Sequence, residues 1–94
     1  MTFEEFQMTL RGSAPPSHFS FYLASLWYDA KGNWQKAHEI IQDVESETAA
    51  WIHAYLHRKE GHIGNADYWY HRAHKNRPVQ SLKDEWEDLV KHLL

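Results

Sequence analysis

The chain has no cysteine. Disulfides and thiolate chemistry are therefore excluded, and the sequence is compatible with a reducing compartment. Glycine and proline are scarce, four and three in 94 residues, and RGSAPPS, Gly32, Gly61 and Pro78 mark the expected breaks in the chain. Nowhere do 18 apolar residues run together, so no segment is suited to span a bilayer. The opening MTFEEFQMTL carries two glutamates and no apolar run, which is unlike a secretory signal, and a cytoplasmic location is expected. Charge of one sign is also lacking. A formal net charge of -3 sets up no global field that would draw nucleic acid or an anionic membrane. Strand-type alternation is missing as well.

What is present is aromatic and imidazole. Five Trp, five Tyr and four Phe supply large apolar groups, and eight His stand out in so short a chain. A chain of this length is one domain that buries about 60 to 65% of the surface its unfolded form exposes.

Helical periodicity runs from end to end, and the fold class expected is all-α, with about five helices plus a short N-terminal helix. Phe3, Phe6 and Leu10 give that first helix one sticky face. RGSAPPS then breaks the chain, because consecutive prolines cannot continue a helix. Ser17 is the expected cap of a helix at 18–31, which Gly32 ends. Asn33 caps 34–45 and Ser46 caps 47–60, which Gly61 ends. A further helix is expected at 65–76, terminated by Pro78. Ser81, with Asp84 three positions on, caps a last helix at 82–93. Its apolar stripe is Leu82, Trp86, Leu89, Val90 and Leu93. Residues 1–94 thus form a single helical domain, with an arm at 1–16, helix pairs at 17–45 and 46–78, and a capping helix at 81–94. The short connections make successive helices antiparallel neighbours.

An internal echo runs through these helices. After Gly61, Ala66, Tyr70, Ala73 and Pro78 follow at intervals of 5, 4, 3 and 5, and after Gly32, Ala37, Ile41 and Val44 repeat the first three. Tyr28 and His57 each stand four residues before their glycine. This pattern resembles the tetratricopeptide repeat over roughly residues 18 to 78. The resemblance implies stacked antiparallel helix pairs with a capping helix over the last pair. The copies depart from the repeat in length, their glycines being 29 rather than about 34 residues apart. Ala50 and His53 also replace its usual large residues. LWYDAKG, HAYLHRKEG and YWYHRA resemble, in addition, a family of small helical proteins with no assigned activity, which implies a fold and no function.

His53 and His57 are four apart in WIHAYLHRKEG and so share a helical face. On the repeat register they point inward, beside Tyr70 and Ala66. Folding the chain back about residue 46 brings His38 level with them, with Glu39, Asp29 and Glu60 at the edge and His71 approaching from the next helix. Three imidazoles from two helices would be a ligand set for a divalent transition metal such as Zn, with one position open. HAYLH lacks the glutamate that follows the first histidine of the zinc-peptidase motif. The alternative is that the histidines are packed and hydrogen-bonded, to Tyr, Asn65 or a carboxylate.

On the concave side expected of such a repeat lie Phe19, Tyr22, Leu26 and Asp29, then Trp51, Tyr55, Arg58 and Lys59. They suit a peptide, the chain's own Phe3 and Phe6, or a second copy. Equally, they form ordinary core beneath helices 1–10 and 82–93. Arg58, Lys59, Arg72, Lys75 and Arg77 lie near Trp69 and Tyr70, but DEWED at 84–88 offsets their charge, so solvated helix surface is expected rather than a nucleic-acid site. The leading expectation is a small helical-repeat scaffold that binds a protein or peptide partner, or itself, without cofactor or catalysis. The competing one is a metal-binding protein or metal-dependent enzyme centred on His38, His53 and His57.

Overall fold

A computed structural model describes residues 1–94. The chain is all-helical: α1 (Phe3–Thr9), α2 (Phe21–Ala30), α3 (Trp34–Ile41), α4 (Glu47–Lys59), α5 (Ile63–Arg72) and α6 (Leu82–Leu93). No helix is long and apolar enough to cross a membrane. The closest pairings are α4 with α5 and α2 with α3, and α6 lies against both α2 and α4.

Short polar side chains set the starts. Asn33, Ser46 and Ser81 accept the backbone N–H of Lys36, Ala49 and Asp84, each satisfying a donor that the first turn leaves free. Thr2 and Glu5 bond reciprocally at the start of α1. Three helices start or stop away from the sequence expectation. Ser20, not Ser17, caps α2, because the Phe19 N–H is taken by the Pro16 carbonyl in a preceding turn. α3 stops at Ile41 rather than 45. Continuing it would set Asp43 and Glu45 at the negative end of the helix dipole. α5 begins at Ile63 and ends at Arg72, well before Pro78.

The ends of α2, α4 and α5 share one device. At Gly32 and Gly61 the backbone turns left-handed, φ +83° and +88°. The following N–H groups of Asn33 and His62 reach back to the carbonyls of Tyr28 and His57, 2.9 Å in each case. This is a Schellman closure, and it uses the backbone carbonyl four residues before each glycine, here that of Tyr28 and of His57. α5 ends the same way with a histidine in the glycine position: His74 has φ +58°, and the Lys75 N–H reaches the Tyr70 carbonyl. Space is open around Gly61, so a Cβ there meets only backbone strain. Gly61→Ala should therefore cost about 1 to 2 kcal/mol, whereas His74→Gly should gain up to about 1 kcal/mol. The exposed His74–Glu47 contact that His74→Gly forfeits contributes little. Urea denaturation of the two variants checks both signs.

α4 is the central element. Eight of its residues are buried, among them Ile52, Leu56 and Ala54, so water reaches little of its circumference. Ile52, Tyr55 and Leu56 join Phe6, Leu26, Trp27, Ala37, Ile41, Leu89 and Val90 in the main core. Ala54 instead meets Ala66 and Tyr70, and these small residues let α4 and α5 approach closely. α1 is held down by Phe6, fully buried, stacked on Phe19 and packed against Trp86.

Candidate metal centre

The turn at 42–46 folds α3 back on α4 and sets His38 against His53 and His57. Nε2 of His38 lies 2.9 Å from Nε2 of His53. One ligand atom from each of the three histidines falls within 4.8 Å of the others. A tetrahedral ion with metal–nitrogen bonds of about 2.0 to 2.1 Å needs its donors roughly 3.3 Å apart, so small side-chain shifts suffice. His53 and His57 are each 7% exposed, and His38 is half-buried on the solvent side.

Neighbours hold each ring. The indole of Trp34 stacks on His38 at 4.9 Å and is itself pinned by Nε1–H donating to the Leu56 carbonyl. Trp69 stacks on His53 with centroids 4.0 Å apart. The Glu60 carboxylate accepts from Nδ1 of His57 at 2.6 Å, which fixes that tautomer and leaves Nε2 with its lone pair toward Asn65, 3.3 Å away. A carboxylate behind a histidine is the outer partner that metal-ligating imidazoles use for orientation and basicity. Burial pushes the imidazolium form of His53 down to about 3, and the adjacent His38 and His57 add to the shift. Burial also lowers His38, with His57 contributing. A cation requires neutral rings, and one Nε2 of the hydrogen-bonded His38–His53 pair carries a proton that would have to move to its Nδ1 before both could ligate.

His53 and His57 face α5, the second helix of their own pair, through Trp69 and Asn65, the neighbours in sequence of Tyr70 and Ala66. Other expectations about this region are corrected. His71 is exposed and outside the cluster. Asp29 is on the other side of α4. It is 2% exposed and accepts from the Tyr55 hydroxyl at 2.7 Å and from Lys59 at 2.9 Å. That carboxylate and burial together push the Tyr55 hydroxyl up, burial being the larger cause.

Of the residues assigned to a groove, Leu26 and Tyr55 belong to the main core and Asp29 is buried, while Asp29, Tyr55 and Lys59 line an open recess with Gln7 of α1 and Leu82 and Trp86 of α6. Tyr22 is half-buried and its hydroxyl pairs with the capping Ser46. Trp51 and Arg58 turn toward Glu85 of α6, to which both donate, at 3.2 and 2.9 Å. Arg58 also donates to the Gln80 carbonyl. Glu85 is fully buried and accepts from the Tyr70 hydroxyl on both oxygens. DEWED is thus not simply a solvated acidic run. The signal was in the sequence: Glu85 falls three after Leu82 and four before Leu89, on the apolar stripe. The basic segment is largely neutralised, since Arg58, Lys59 and Arg77 pair with Glu85, Asp29 and Asp67.

Comparison with protein-family models, with curated proteins and with solved structures gave no match. The functional reading therefore rests on the side chains themselves.

Proposed function

We propose that this chain is a small metal-binding helical protein in which His38, His53 and His57 hold a divalent transition metal such as Zn. The observation that carries the proposal is the convergence of three imidazole donors within 4.8 Å, from two helices, in a partly buried site. Stacking by Trp34 and Trp69 and the Glu60 contact support it, because rings already oriented lose little entropy on binding. We infer a tetratricopeptide-like arrangement for the scaffold, with α2–α3 and α4–α5 as its pairs. The centre then sits at the junction between the pairs, where α3 meets α4. A peptide-binding role draws less support, because Leu26 and Tyr55 of its proposed contact residues are core.

Untagged protein, stripped with a chelator and titrated with Zn(II) in a calorimeter, should take up one equivalent. His53→Ala should weaken uptake by about 100-fold or more, since even loss of an outer partner typically costs 10- to 100-fold. A protein that binds none of Zn(II), Co(II), Ni(II) or Cu(II), and that becomes more stable on His57→Leu, would reduce the cluster to a packing device.

A further inference from the structure

An imidazole is a neutral donor, so the three histidines do nothing to balance the charge of a divalent ion. Glu60 is the one carboxylate hydrogen-bonded to the set. An ion of +2 with -1 from the hydrogen-bonded Glu60 leaves +1 at ligands of which His53 and His57 are each 7% exposed, since Glu39, whose carboxylate also acts on His38, is exposed and makes no bond to the set. Uncompensated charge in such surroundings is costly. A single negative charge in the coordination position that three ligands leave open would close the balance.

Asn65 is placed to receive it. Its Nδ2 lies 3.3 Å from Nε2 of His57, the lone pair that a metal would take. Metal binding would therefore free the amide N–H while leaving it next to the ion. A donor beside an open coordination position favours an acceptor of negative charge over a neutral one. His38 and Asn65 are both partly exposed, so solvent reaches the cluster on that side.

We propose that the open position of the His38/His53/His57 centre takes a small monoanion, of the class of acetate, bicarbonate and azide, held by a hydrogen bond from Asn65. This rests on the metal reading above, and the two are tested separately by one spectrum. Untagged protein loaded with Co(II) should show the visible bands of a low-coordinate ion, and titration with azide or acetate should shift them to saturation. Asn65→Leu should weaken the anion about tenfold, the worth of one hydrogen bond to a charged group, while Co(II) affinity stays within about threefold. Asn65→Ser, which keeps a shorter donor, should fall between. Bands that ignore azide and acetate overturn the inference and leave the metal reading standing. Anion binding that is the same in Asn65→Leu as in the parent overturns the role of Asn65. Failure to bind Co(II) at all overturns the metal reading and the anion with it.

Discussion

A Glu85→Leu chain should lose about 3 to 5 kcal/mol of stability, the range for breaking a buried ion pair by removing one partner. Glu85 is fully buried and takes hydrogen bonds from Tyr70, Trp51 and Arg58, so leucine strands three donors at once. Burial, then the bond to Glu85, pushes the Tyr70 hydroxyl up, so it remains a neutral donor with no charge of its own to lose. A native chain of this size has roughly 5 to 14 kcal/mol in hand, so the variant should sit near the edge of folding. The loss belongs to the stranded donors rather than to the missing charge. Replacing the network whole, as Glu85→Leu with Arg58→Met, Tyr70→Phe and Trp51→Phe, should recover most of it. Urea midpoints for the single and the combined variant measure both. A single variant as stable as the parent would show that the network adds nothing.

Zn(II) should raise the melting temperature strongly and in a pH-dependent way. At free metal about 100 times Kd, binding to the folded state alone adds about 2.7 kcal/mol, which for a domain of this size is roughly 10 to 20 °C in Tm. Without metal, the pH dependence follows from His53. Its folded value, about 3, lies below the 6.5 of an unperturbed imidazole, so the unfolded chain binds the proton first. Stability is complete above about pH 6.5 and drains away as pH falls from there toward 3. With Zn(II) bound the loss should be steeper, because protons compete for the same nitrogens. Melting curves from pH 5 to 8, with metal and with a chelator, give both slopes. Superimposable curves would contradict the metal and the buried neutral imidazole alike.

Much of the helical layout could be read from single residues. Asn33, Ser46, Gly61 and Ser81 act locally, through their own backbone or side chain, and the structure uses each as the sequence suggests. The meeting of His38 with His53 followed from equal spacing about the turn at residue 46, a consequence of short-range geometry. Choices between near neighbours were not legible. Ser17 and Ser20 are both good caps, and only the turn closed on Pro16 decides for Ser20. Which α5 side chains would meet His53 and His57 was not legible, because alanines at 49, 50 and 54 leave the apolar face of α4 poorly marked. The indoles over His38 and His53 come from Trp34 and Trp69, in α3 and α5, and depend on crossing angles that spacing does not report. The Glu85 network needed a different habit of reading: a carboxylate on an apolar stripe is a request for partners.

Three polar clusters hang on the single rod of α4. His53 and His57 point one way, Tyr55 and Lys59 another, and Trp51 and Arg58 a third. An insertion or deletion of one residue between Tyr55 and His57 would swing everything beyond it by about 100° and split each of these pairs. Length variation among descendants of this chain should accumulate at 10–19 and 73–81, where no helix runs, while α4 stays at constant length even as its side chains drift.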